Sequence, residues 1–211
     1  MLRYVHAHDL GRFPRLADTM FRDRADQFAT RLGWEVSVDA RGHERDAYDD
    51  LNPLYVIWEG EDGQHQGSLR LLPTTGPTMI DDHFQHLLGG RRINDPRIWE
   101  CTRFCLSRGA ASRVAAALML GGGEMMTRLG VEHFAGVFDA RMIRIYRAIG
   151  ASPQVLGGTG EGRERISVGL WTFSAAARAR VAERAGVPPA LSDLWVRQSF
   201  GADETALARS A

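Results

Sequence analysis

The side chains able to do chemistry fall in three polar stretches behind an N-terminal segment. The last stretch, Trp99-Glu100-Cys101-Thr102-Arg103-Phe104, sets a carboxylate and a guanidinium in a run of otherwise apolar character. Before it come Glu44-Arg45-Asp46-Ala47-Tyr48-Asp49 and Arg70-Leu71-Leu72-Pro73-Thr74-Thr75-Gly76-Pro77, and earlier still Arg24, Phe28 and Trp34. Ionised groups interleaved with aromatics suit a charged, partly apolar small molecule. Arginine binds a carboxylate bidentately, and aromatic faces hold a cation.

A glutamate inside a strand is costly unless paired, and burial lifts its pKa towards that of a general base. Glu100 therefore reads either as a base or as half of a structural pair with Arg103. Strict alternation puts Ile98, Glu100, Thr102 and Phe104 on one face and Trp99, Cys101 and Arg103 on the other, so that pair requires a bulge. Arg70, in a strand interior, needs a carboxylate from the Glu44, Asp46, Asp49 and Asp50 patch or from a ligand. The patch alone would read as a solvated turn, and it lacks the offsets of a calcium loop. Arg24, one helical turn from Phe28, reads as a packed surface arginine or as a carboxylate ligand.

These residues need elements to position them. Apolar spacing predicts a helix over 12–30, a hairpin of strands at 54–58 and 67–72, and a short helix at 81–88 capped by Asp81 or Asp82. A strand at 98–106 follows, then helices at 112–129, 141–149 and 174–185 alternating with strands at 133–138 and 165–172. Gly121-Gly122-Gly123 weakens the long helix by about 1 kcal/mol per glycine. With no strand directly before it and no lysine after it, the run predicts close helix-to-sheet packing rather than a phosphate loop. This order implies an α/β fold, a mixed sheet with helices on both faces. No GxGxxG follows a first strand, which excludes a Rossmann dinucleotide site. Pro188 and Pro189 predict a break before a loosely ordered tail over 188–211.

Composition narrows the classes further. The 211 residues, 44% hydrophobic and 25% charged, fit a single domain with a real core. Net charge is zero, so no global field attracts nucleic acid. All 26 basic residues are arginine, which removes Schiff-base, pyridoxal-phosphate and Walker A chemistry. Cys101 and Cys105 lack zinc-ligand partners, and no metal site is expected. The longest apolar stretch, Val114 to Leu120, is too short to span a bilayer. The N-terminus carries Arg3, His6, His8 and Asp9 instead of a secretory core, so a cytoplasmic protein is expected.

In order and spacing over about residues 4–175, the set Arg24, Phe28, Trp34, Asp46, Asp49, Arg70, Glu100 and Arg103 resembles the LuxI-type acyl-homoserine-lactone synthases. These are the autoinducer synthases of bacterial quorum sensing. Phe84 matches an aromatic position of that family. The resemblance implies a fold like the Gcn5-related N-acetyltransferases, with a V-shaped cleft between splayed strands, and a lid over the substrate made by residues 1–50. It implies that the amine of S-adenosylmethionine, a substrate rather than a cofactor, attacks an acyl thioester on acyl carrier protein or coenzyme A. The methionine carboxylate then closes the lactone and methylthioadenosine leaves.

On this reading Glu100, Arg103, Arg24 and Asp46 are catalytic. Arg24, Phe28, Trp34, Asp46, Phe84, Thr102, Arg103 and Phe104 bind S-adenosylmethionine, and Asp49 and Arg70 complete an electrostatic network. Met79, Leu118, Met119, Met125, Met126, Phe138 and Met142 are expected to line an acyl pocket. Arg141, Arg144 and Arg147, with Arg91 and Arg92, are expected to dock an acidic carrier. Some family members favour 3-oxo chains through a threonine before the Arg141 helix. Ala135-Gly136-Val137-Phe138-Asp139 has none, which favours an unsubstituted chain. Two rivals stand beside this reading. One is a Gcn5-related N-acyltransferase acting on another small amine, against which Arg108-Gly109-Ala110-Ala111-Ser112 has the wrong spacing for that family's pyrophosphate loop. The other is a dead binding module, against which Glu100 and Arg24 are both present.

Overall fold

The computed structural model describes residues 1–201. Seven strands form one mixed sheet: β1 (Leu2–His6), β2 (Leu54–Glu59), β3 (His65–Pro73), β4 (Ile98–Leu106), β5 (His133–Asp139), β6 (Gln154–Thr159) and β7 (Ile166–Thr172). Their spatial order is β1-β2-β3-β4-β5-β7-β6, antiparallel throughout except for β4 beside β5. The helices are α1 (Pro14–Ala25), α2 (Met79–His83), α3 (Arg113–Leu129), α4 (Ala140–Ile149), α5 (Ala175–Ala185) and α6 (Pro189–Phe200).

Both sheet faces are covered, as the sequence order implies. On one, α1 packs Leu16, Met20 and Phe21 onto Val5, Tyr55 and Ile57. On the other, α3, α5 and α6 bring Val114, Leu118, Val181 and Trp195 over Leu2, Val56, Leu69 and Leu71. The glycine run is a packing device. A Cβ at Gly121 would lie 2.6 Å from Val56, and one at Gly123 would lie 2.2 Å from the Phe173 ring.

Four local expectations are corrected. Residues 2–6 are the edge strand of the sheet, so the first fifty residues are not a lid as a unit. Gln154–Thr159 adds a strand. The chain after Pro188 is not a loose tail up to Phe200: Pro at the first helical position starts α6, where its missing N–H is harmless. Trp195 there meets Trp58 edge-on, and Phe200 meets Tyr4. The part of the expected tail over 202–211 lies outside the described residues. Finally, α2 starts earlier than expected and is capped by the Thr78 hydroxyl, which accepts from the Asp81 N–H.

Two irregularities build the cleft. The parallel pair β4–β5 holds only over Ile98–Glu100 against His133–Ala135, and beyond that rung the strands separate. On its other edge β4 bulges. Ser68 opposes Cys105 but Arg70 opposes Thr102, and Arg103 takes the left-handed conformation at φ 52°. A non-glycine residue with positive φ is uncommon and marks a local demand.

Candidate active site

The bulge answers the question of which face Arg103 takes. Its side chain swings to the Arg70 side and joins a buried ionic lattice drawn from five segments. Arg24, from α1, donates from Nε to Glu44 (2.6 Å) and from both terminal nitrogens to Asp49 (3.0 and 2.9 Å). Arg70 donates to both oxygens of Asp46, to Asp49 at 2.8 Å, and from Nε to the Thr102 hydroxyl at 3.0 Å. Arg103 reaches Glu44 at 2.9 Å and Asp46 at 2.7 Å. The Tyr55 hydroxyl donates to Asp49. Asp46 and Asp49 also form a reciprocal cap on the turn Ala47–Leu51, which fixes the carboxylates in place.

Three guanidinium groups thus face three carboxylates, Glu44, Asp46 and Asp49, and the lattice is internally neutral. Burial opposes ionisation of Asp49, but Arg24 and Arg70 outweigh it and hold the carboxyl well below its usual range. The same contest, with Arg70 and Arg103 on the winning side, holds Asp46 down. Breaking such a buried set by deleting one partner costs about 3–5 kcal/mol, because a charge is left uncompensated.

Two sequence expectations change here. Arg24 is 1% exposed, each of its three nitrogens bonds Glu44 or Asp49, and it does not line the cavity described below, so its place in the structure is that of a residue positioning Glu44 and Asp49. Glu44 is not part of a solvated turn: it is fully buried and joins Arg24 to Arg103. Of the three guanidinium groups of the lattice, that of Arg103 reaches the cavity. Its Nη1 meets only the Met79 thioether at 3.3 Å, a weak acceptor, and its plane lies over the Phe28 ring at 5.3 Å.

Phe28 is buried and stacks on Trp34, 5.2 Å between centroids and 11° between planes. Trp34 is 47% exposed, a large aromatic left half in solvent. Phe28 sits in a wide helical turn, Asp26–Arg31, that continues α1. From the same turn Gln27 donates to the Phe104 carbonyl (2.9 Å) and accepts from the Leu106 N–H (3.0 Å), holding β4 where it bulges. Gln27 carries no motif signal and was not legible in the sequence.

Glu100 does not pair with Arg103. Its two oxygens accept the backbone N–H groups of Met79 (3.0 Å) and Ile80 (2.7 Å), the first residues of α2. Burial raises its pKa to about 7, against the pull of those two donors and of Arg70. It lies two residues before Thr102 on β4, is 1% exposed, and is not among the residues that line the cavity, which Met79 reaches.

Arg103, Phe28, Trp34, Phe84, Thr102 and Phe104 all line one cavity of about 700 Å³. The cavity runs from the ionic lattice through the gap between β4 and β5 into an apolar chamber under α3, α4 and α5. Met119, Met126, Phe138 and Met142 line that chamber, as expected of an acyl pocket. Leu118 and Met125 do not: both are fully buried in the core. Met79 lines the cavity at its ionic end, against Arg70 and Arg103, rather than in the apolar chamber. Arg141 pairs with Asp139 at the chamber wall, and Arg144 and Arg147 are exposed on α4. Among the described residues no cluster of potential metal ligands is present, and no helix is long and apolar enough to cross a membrane.

A mixed sheet split between two parallel strands, with a cavity through the split, is the arrangement of the N-acetyltransferase fold. A solved structure described as a putative N-acetyltransferase from Lactobacillus plantarum shares it at a TM-score of 0.54 and 15% identity, covering 82% of this chain and 99% of that one, a likeness of fold alone. The sequence profile described as autoinducer synthase matches residues 12–181. The chain belongs to the autoinducer synthase family. It is 39% identical over 182 residues to an acyl-homoserine-lactone synthase of Rhizobium etli, covering 83% of this chain and 85% of that one. Among solved structures it is similar to MesI, a CoA-dependent acyl-homoserine lactone synthase, at 26% identity and a TM-score of 0.78, covering 90% and 98% of the two chains. It is also similar to TofI, solved in a ternary complex with an inhibitor and MTA, at 26% identity and a TM-score of 0.67, covering 83% and 91%.

Proposed function

We propose that this chain makes an acyl-homoserine lactone from S-adenosylmethionine and an acyl thioester. The observation that carries the reading is a single cavity with an ionic, aromatic end and an apolar end, joined at the split between β4 and β5.

The ionic end suits S-adenosylmethionine. Arg103 Nη1, otherwise set only against the Met79 thioether, donates to its carboxylate, and the Phe28–Trp34 stack faces its sulfonium and adenine. Arg24, Asp46, Asp49 and Arg70 hold Arg103 rigid. The thioester enters the split with its acyl chain in the chamber. The amine nitrogen attacks the thioester carbonyl carbon, the carbon–sulfur bond breaks, and the thiolate leaves. Glu100, raised to about 7 by burial but set off the cavity lining, takes the proton the amine gives up through an intervening water. The methionine carboxylate then attacks its own γ-carbon, the sulfonium carbon–sulfur bond breaks, and methylthioadenosine departs with the electron pair. Both coenzyme A and acyl carrier protein deliver an acyl group on the same thiol arm. The exposed Arg144 and Arg147 of α4 supply the positive face an acidic carrier would need.

Calorimetric titration with S-adenosylmethionine tests the ionic end. The wild type binds, and Arg103→Gln weakens binding by tenfold or more, the scale of a lost charge-assisted hydrogen bond. Unchanged affinity in Arg103→Gln would remove Arg103 from the substrate site.

A further inference from the structure

Where β5 leaves β4, the edge of β4 is closed by a side chain instead of a strand. Past the Glu100–Ala135 rung β5 no longer pairs with β4. The Ser107 N–H points the other way, to the Gln66 carbonyl beside β3. Alternation therefore turns the Phe104 carbonyl and the Leu106 N–H to the open edge. Gln27 takes both. Its amide donates to the first at 2.9 Å and accepts from the second at 3.0 Å, as the backbone of a neighbouring strand would. Gln27 also lines the cavity.

The two bonds reach the ionic end of the cavity through sequence neighbours on both sides. On one side Gln27 precedes Phe28 in the wide turn Asp26–Arg31. A turn of this kind is rare and recurs at functional sites. On the other side Phe104 follows Arg103, whose left-handed backbone turns its guanidinium to the lattice. That guanidinium lies over the Phe28 ring at 5.3 Å. One amide thus ties the strand that carries the guanidinium to the turn that carries the ring. The same turn has a second tie just past β4, from Asp26 to Arg108 at 3.0 Å, but the Arg108 side chain is 74% exposed. An ion pair so open to solvent is worth little. Water would satisfy the Phe104 carbonyl and the Leu106 N–H if the amide were removed. The fold therefore does not depend on these bonds, whereas the placing of Phe28 against Arg103 does.

Resting on the reading above, we propose that Gln27 is a positioning residue for S-adenosylmethionine. Its amide fixes the spacing of Phe28 and Arg103, and with it the geometry in which the ring meets the sulfonium while the guanidinium meets the carboxylate. It touches no reacting atom and acts through Phe28 and Arg103. Its contribution is preorganisation: without the tie, the turn must be ordered when the substrate binds, at a cost in affinity.

The test titrates S-adenosylmethionine calorimetrically into the wild type, into Gln27→Met, which keeps the reach of the side chain and loses both bonds, and into Gln27→Ala. Affinity is expected to fall about tenfold in each variant, while KM for the thioester and the thermal unfolding midpoint stay close to those of the wild type. A Phe28→Leu background separates positioning from a general loosening. There Gln27→Met is expected to cost only about twofold more, because a residue it acts through is already gone. A full tenfold loss that persists in Phe28→Leu overturns the proposal, as does an equal rise in KM for the thioester. Failure of both variants to fold overturns it too, by making Gln27 a structural residue. Wild-type binding that Gln27→Met retains in full defeats the positioning role alone. No binding of S-adenosylmethionine to the wild type defeats the parent reading itself.

Discussion

Glu100 is the carboxylate whose ionisation governs the proposed chemistry. Its pKa of about 7 comes first from burial, opposed by two backbone donors and Arg70. Below that value it is protonated and cannot accept the amine proton; above it the base is available. The expected result is a kcat/KM that rises with pH through a limb near 7. Glu100→Gln lowers turnover about 10²- to 10³-fold and removes that limb, read from initial rates across pH. A limb that survives in Glu100→Gln would assign it to another group. At this scale the sequence was legible in type but not in partner. The run of residues identified Glu100, Arg103 and the acidic patch. The pairings of Arg24 with Glu44 and of Glu100 with the α2 backbone depend on chain segments far apart in sequence, which no spacing encodes.

The central element is the split between β4 and β5, and Gly136 controls its width. A side chain at 136 would press on the Cys101 carbonyl, which as backbone in a strand has little room to give. Gly136→Ala is therefore expected to narrow the split. In steady-state kinetics kcat/KM for the thioester falls tenfold or more, while S-adenosylmethionine affinity, read separately by titration, is unchanged. Loss of both together would mean that the change disturbs the sheet as a whole. The elements that shape this split were mostly legible. The hairpin, β4, α3, β5, α4, β7 and α5 follow from apolar periodicity and turn residues. The missed ones failed for identifiable reasons. β1 is five residues with a charged Arg3. β6 carries two glycines in six residues. The start of α6 hides behind a Pro-Pro pair that reads as a break but serves as a helix start. The bulge at Arg103 could only be anticipated as a condition, because alternation assigns its side chain to the wrong face.

At the scale of the whole molecule, zero net charge conceals an uneven distribution. Arginines are used inside, in a neutral lattice, and outside, on α4 beside the chamber. The approach of the proposed acidic carrier to this exposed set is steered by charge and weakened by salt. Arg144→Glu is expected to raise KM for a carrier-protein thioester severalfold at low salt, with a smaller effect in high salt. Rates on acyl-coenzyme A should change less. An unaltered KM for the carrier-bound substrate would take α4 out of the docking surface.

That one cavity couples acylation to lactone closure is tested by incubating the purified chain with S-adenosylmethionine and a panel of acyl-carrier and acyl-coenzyme A thioesters and following the products by mass spectrometry. An acyl-homoserine lactone and methylthioadenosine are expected in equal amounts. An acylated amine without methylthioadenosine, or no turnover on any thioester, would contradict it.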